Sequence, residues 1–423
     1  MTPFAGVAAA VAAGMALGVS LAGYPPSGLM PVVGVLGIWL VLGLALTWPA
    51  AAIALGFVLF GVVRVEPAPT DAVLGILAAL AVATGQVDLR RVPAPILALL
   101  VTLLALNVVS MTATVELAPA LRFFAITLYL VVLAVWLASY LRTPERMRLV
   151  IRAYVAGAVA TSVLAVAALF VAYPAHELLA ESRAEGFFKD PNVFGPFLVP
   201  AALIALEESV RPRVLGAPRH VAAALFAVLT LGILFAYSRA GWLNLGAALA
   251  IMLLVFSLRA GGARVVGGVL AIALVAAGVA GATLASTGSV PFLEERARLQ
   301  AYDSERFSAQ AGGVELGLGH AVGIGPGQFE LIRPVSAHSI YVRVLAEQGV
   351  LGLATLAALL AGTLALAVRN ALAGADAHGV GSAALLGAWC GLLVNGAFVD
   401  TLHWRHMWLV AALIWVAALR RHV

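Results

Sequence analysis

The chain has 423 residues, of which 63% are hydrophobic and 11% charged, with a mean hydropathy of +1.05. These values exclude a soluble globular domain, and repeated apolar runs of spanning length predict an all-α polytopic membrane protein. The formal charge of +5 is mostly arginine, Lys189 being the only lysine. It reads as membrane sidedness, with no nucleic-acid partner expected.

In chain order the candidate spans are Phe4–Leu21, Pro31–Thr47, Ala50–Val63, Asp71–Thr84, Pro95–Ser110, Pro119–Leu141 and Arg146–Ala172. Pro191–Leu206, His220–Tyr237, Gly241–Ser257 and Val265–Ala285 follow. Ile340–Val368, Val380–Phe398 and His403–Leu419 close the chain. The first run lacks the basic flank of a secretory signal and reads as a retained helix, a cleaved signal being the alternative. Several early runs fall short of the roughly 20 residues a crossing needs, so some are broken or re-entrant. The expectation is about 12–14 transmembrane helices, even in number. They divide into N-terminal helices over 1–285, a long outward loop over 286–339 and C-terminal helices over 340–423.

Arginine sets the orientation. Arg90, Arg91, Arg142, Arg146, Arg148, Arg211, Arg213, Arg219, Arg259, Arg264, Arg369, Arg420 and Arg421 all fall in one set of alternate connections. By the positive-inside rule that set is cytoplasmic, as are both termini, and the long loop faces outward. Thr143-Pro144-Glu145 and Asp190-Pro191-Asn192 read as N-caps with proline at the first helical position. Within the loop, 290–318 reads as surface helices and 317–327 as an irregular glycine-rich turn. The single cysteine, Cys390, excludes an intrachain disulfide and reads as a small buried hydrophobe.

Four outward stretches carry the polar chemistry. Arg183-Ala-Glu-Gly-Phe-Phe-Lys-Asp-Pro-Asn192 enters a helix whose start, beside Arg183 and Lys189, suits a phosphate; an ordinary interfacial cap is the alternative. Arg239, in the Ser238-Arg239-Ala240-Gly241-Trp242 turn, either snorkels to headgroups or points inward to a charged ligand. Gly323-Ile-Gly-Pro-Gly-Gln-Phe329 lacks the strand a dinucleotide fingerprint needs, and a tight turn is the default. In Ala337-His338-Ser339-Ile340-Tyr341 the histidine is either a cap or a general base. Arg343 and Glu347, one turn apart, pair on one helix face, from which Glu347 can orient His338 indirectly. His403, Arg405 and His406 have no carboxylate cluster beside them, Asp400 standing alone, so no metal is expected.

The order and sidedness of these motifs resemble the O-antigen ligase and O-antigen polymerase superfamily, over roughly Arg183 to Leu353. The family usually has asparagine after the loop histidine, where this chain has Ser339. The resemblance implies a lipid-carrier-dependent (C-type) glycosyltransferase in the bacterial inner membrane, with its site facing the periplasm and no cofactor. The implied donor is a glycan on undecaprenyl diphosphate. The implied acceptor is lipid A–core in a ligase; a polymerase or a protein O-oligosaccharyltransferase is the alternative. His338 then serves as base, while Arg183, Arg239, Arg306 and Arg333 hold the diphosphate. Lys189, Asn192, Tyr341 and Glu347 support them. A transporter of lipid-linked glycan would need mid-membrane charges and an inverted repeat, and neither is evident.

Overall fold

A computed structural model describes residues 30–65, 68–171, 175–211, 213–259, 261–286 and 288–419. The expected first helix, Phe4–Leu21, and the last arginines, Arg420 and Arg421, lie outside the described residues. Seven helices are long and apolar enough to cross a membrane, and six shorter apolar ones accompany them. The fold is that of an all-α polytopic membrane protein.

The helices are α1 (Met30–Thr47), α2 (Pro49–Val58), α3 (Pro69–Ala83), α4 (Ala94–Ser110), α5 (Leu117–Tyr140), α6 (Pro144–Ala167), α7 (Pro191–Val210), α8 (Arg219–Phe235), α9 (Arg239–Ser257) and α10 (Gly262–Ser286). The outer segment adds α11 (Val290–Ala297), α12 (Ala301–Gly319) and α13 (Phe329–Ile332). The chain ends with α14 (Ile340–Leu372), α15 (Ser382–Asn395) and α16 (Arg405–Leu419).

Proline opens several of these helices, where its missing N–H costs nothing and its fixed φ is already helical. Thr143 Oγ1 accepts from the Arg146 amide at 3.4 Å, and Asp190 Oδ1 accepts from the Asn192 amide at 2.8 Å. Both predicted caps are therefore present, each worth about 1 kcal/mol. α7 is the central helix, its side chains nearly all buried, with α8, α9 and α15 around it.

The two sets of connections gather at opposite ends of the bundle. At one end the Asp88 amide meets Ser139, Arg152 donates to the Val214 carbonyl, and Arg213 pairs with Asp376 at 3.1 Å. Arg259 reaches Ala371 and Ser382 at that same end. At the other, Val63 bonds Phe187, Arg183 bonds Ala236, and the Ile340 amide donates to Gly396. The alternation read from arginine spacing is thus a physical partition of the molecule.

One deep feature shapes the second end. α14 breaks at Gly349 (φ 69°), inside what the sequence reads as a continuous span. Carbonyls beside a break in lipid need donors from elsewhere in the protein. The Ile324 and Gly325 amides donate to Ala346 and Glu347 at 2.9 and 3.0 Å, and the Ser110 hydroxyl also donates to Glu347. Gly323, Gly325 and Gly327 all have positive φ, and a Cβ on Gly323 would overlap the Glu347 backbone. Gln328, fully buried, accepts from the Val115 and Glu116 amides at 3.0 and 2.9 Å and donates back to Glu116 at 2.8 Å. The glycine motif is a tight turn that splints a broken helix.

Candidate functional site

The outer segment folds back over the start of α9. Leu299 precedes α12, whose N-terminus is closed by a reciprocal capping box between Gln300 and Asp303. Between α12, the α9 start and the loop before α14 lies a cavity of about 230 Å³. His338, Arg239, Arg306 and Asn192 line it, from stretches far apart in sequence. Arg296, Tyr302, Asp303 and Gln310 complete its polar wall, while Leu243, Phe307 and Phe398 form an exposed apolar rim.

His338 sits at φ 44°, a left-handed conformation uncommon for a bulky side chain. Ser339 follows as N-cap of α14, its Oγ accepting from the Val342 amide at 3.4 Å. The cap reading therefore belongs to Ser339, and the imidazole is left facing the cavity. Gln310 Nε2 donates to the His338 and Ala397 carbonyls at 3.3 and 3.4 Å, pinning that backbone to the end of α15. Burial, and then the Arg306 guanidinium, hold the His338 pKa below the ordinary histidine value; Asp190 and Asp400 pull the other way. The imidazole is neutral near pH 7 and able to accept a proton.

Arg239 points inward. It donates to Asp303 Oδ1 at 2.6 Å, to the Arg298 carbonyl at 3.0 Å and to the Tyr302 hydroxyl at 3.3 Å. The snorkelling alternative is set aside by those partners. The Arg239 hydrogen bond, foremost, keeps the Asp303 carboxyl below its usual range. Arg183 stands one step behind the wall. Its Nε donates to the Ala236 carbonyl at 3.0 Å and its Nη2 to Asn192 Oδ1 at 3.2 Å. It orients Asn192, which does reach the cavity.

The remaining expected residues lie elsewhere. Arg333 packs against Gly312 of α12 and does not line the cavity. Lys189 is exposed beside the α7 start, outside the lining. Tyr341 donates its hydroxyl to the Leu393 carbonyl at 2.8 Å, fastening α14 to α15. Glu347 is fully buried under the glycine turn, accepting from the Phe329 amide at 3.3 Å and from Arg343 Nη1 at 3.3 Å. The expected Arg343–Glu347 pair is present.

Asp400 does not stand alone. It pairs with Arg343 Nε at 2.7 Å, and Arg343 also binds Glu330 and Ser336. His403 Nε2 lies 2.9 Å from the Thr127 hydroxyl, Arg405 chelates Asp71, and His406 packs edge-on against Phe197. Among the described residues no three His, Cys, Asp or Glu side chains gather into a metal-ligating group. Cys390 is half-buried.

The sequence reading missed Arg296, Tyr302, Asp303 and Gln310. Tyr302 and Arg306 lie one helical turn apart, so their shared face was readable. Nothing local indicated that this face would close over Arg239.

The class established by this fold is a polytopic helical membrane protein with a cation-lined cavity at one end. No family model matches the chain, and no curated protein matches it significantly.

Proposed function

We propose that this chain is a lipid-carrier-dependent membrane glycosyltransferase of the O-antigen ligase type. On this reading it lies in the bacterial inner membrane with the cavity facing the periplasm. The observation that supports it most is the convergence of His338, Arg239 and Arg306 on one cavity with an apolar rim. A neutral base, an excess of guanidinium groups and an exposed apolar edge suit a diphosphate-linked glycan on a polyprenyl tail.

The donor, undecaprenyl diphosphate carrying a glycan, lies with its tail over Leu243 and Phe398 and its diphosphate against the arginines. An acceptor sugar hydroxyl of lipid A–core attacks the anomeric carbon. As the new C–O bond forms, its proton passes to the unprotonated imidazole nitrogen of His338. The bond from the anomeric carbon to the diphosphate oxygen breaks with its electron pair, and Arg306, Arg296 and Arg239 stabilise the charge as it leaves. A single displacement of this kind inverts the anomeric configuration. Arg183 contributes by holding Asn192 in the wall. Of the four expected diphosphate arginines, Arg239 and Arg306 keep that role, Arg183 acts through Asn192, and Arg333 leaves the set.

Membrane vesicles carrying the His338→Ala chain, supplied with donor and lipid A–core, test the reading. Loss of glycan transfer with normal membrane levels is expected. Undiminished transfer would refute the base, and transfer only onto a growing glycan chain would favour the polymerase alternative.

A further inference from the structure

Three guanidinium groups from three separate segments surround one aromatic ring. The carbons of Arg306, Arg296 and Arg239 lie 4.8, 5.8 and 5.9 Å from the centre of the Tyr302 ring. Arg239 comes from the start of α9, Arg296 from α11, and Arg306 from one turn further along α12. All three, with Tyr302 itself, line the cavity.

Like charges at such separations repel, and more strongly in a half-buried site than in water. Two features offset the repulsion here. Asp303 takes up Arg239 at 2.6 Å while its other oxygen accepts the Gln300 amide at 2.7 Å. The negative face of the Tyr302 ring attracts each cation, and its hydroxyl accepts from Arg239 at 3.3 Å. One carboxylate does not balance three guanidinium groups, so the cluster keeps a positive excess directed into the cavity. Arg296 Nε is buried with no hydrogen-bond partner among the described residues.

We propose that Tyr302 is a positioning residue. Its ring holds Arg239, Arg296 and Arg306 as a single face for a diphosphate, so that the anion meets a prearranged clamp rather than three mobile side chains. The inference rests on the donor reading above. A prearranged clamp lowers the cost of binding, so loss of the ring weakens donor binding more than it slows the chemical step.

The full-length protein in detergent, titrated with undecaprenyl diphosphate, tests this through a ring series at position 302. Tyr302→Phe keeps the face and loses one hydrogen bond, and is expected to bind within about threefold of the parent chain. Tyr302→Leu is expected to bind about tenfold more weakly, with donor KM rising and kcat little changed. Ring-fluorinated phenylalanine at 302 preserves shape and withdraws charge from the face, so its affinity should fall with each added fluorine. That arm also guards against misfolding of the leucine variant, since a purely structural aromatic would not respond to fluorination. Equal affinity across the fluorinated series would overturn the proposal. Failure of the unsubstituted protein to bind undecaprenyl diphosphate would instead overturn the donor reading.

Discussion

Tyr237 and His338 occupy the same backbone state. Each sits at positive φ, 47° and 44°, immediately before a serine that caps the next helix. Ser238 Oγ accepts from the Gly241 amide at 3.2 Å, and Ser339 Oγ accepts from the Val342 amide at 3.4 Å. The kink delivers Arg239 to the cavity in one case and the imidazole in the other. Asparagine tolerates this conformation and β-branched residues do not. His338→Val is therefore expected to melt below His338→Asn, by about 1–3 kcal/mol of strain. Thermal unfolding of the two variants in one detergent checks this.

Arg343 ties four segments together. Removing it leaves Glu347 and Asp400 without their common cation, and a broken buried pair costs about 3–5 kcal/mol. Arg343→Met should melt well below the parent chain. Adding Glu347→Gln should restore part of the loss, because it removes one of the stranded carboxylates. A double-mutant cycle on unfolding free energies measures the recovery.

Gly323 is a backbone requirement. Its φ of 77° alone costs an L-residue about 1–3 kcal/mol, and a Cβ there overlaps Glu347. Gly323→Ala is expected to loosen the splint on the α14 break, whereas Gly319→Ala, with nothing near its Cβ, should be silent. Amide hydrogen exchange over Ala346–Gly352 reads the difference.

The pH dependence has a definite sign. His338 works unprotonated, and burial plus Arg306 hold its pKa below the ordinary histidine value. Activity should persist as pH falls through 6.5, the reference histidine value, and be lost only below it. Arg306→Gln removes a repelling charge but leaves the burial, so the acid limb should move upward without passing far above the ordinary value. The acid limb of single-turnover transfer, compared between the two proteins, tests this.

Much of the helical frame was legible, because proline starts, polar caps and apolar runs are local signals. Thr143 and Asp190 cap where the sequence placed caps, and arginine spacing divided the connections correctly between the two ends. The break at Gly349 was hidden inside an apolar run, since its compensating donors come from a loop about twenty-five residues earlier. The loop arginines were indistinguishable in sequence. Arg306 faces the cavity and Arg333 faces Gly312 only because of how α12 packs. Asp400 looked isolated because its partner, Arg343, lies on another helix. Tyr302 looked like an ordinary aromatic until three segments closed around it.

The central claim is that His338 accepts the acceptor's proton beside an arginine-held diphosphate. Its most direct measurement is single-turnover glycan transfer in proteoliposomes by His338→Asn, with undecaprenyl diphosphate affinity measured on the same preparation. Near-parental affinity with transfer reduced by at least about a hundredfold is the predicted result. Transfer at the parental rate, or loss of donor affinity equal to the loss of transfer, would contradict it.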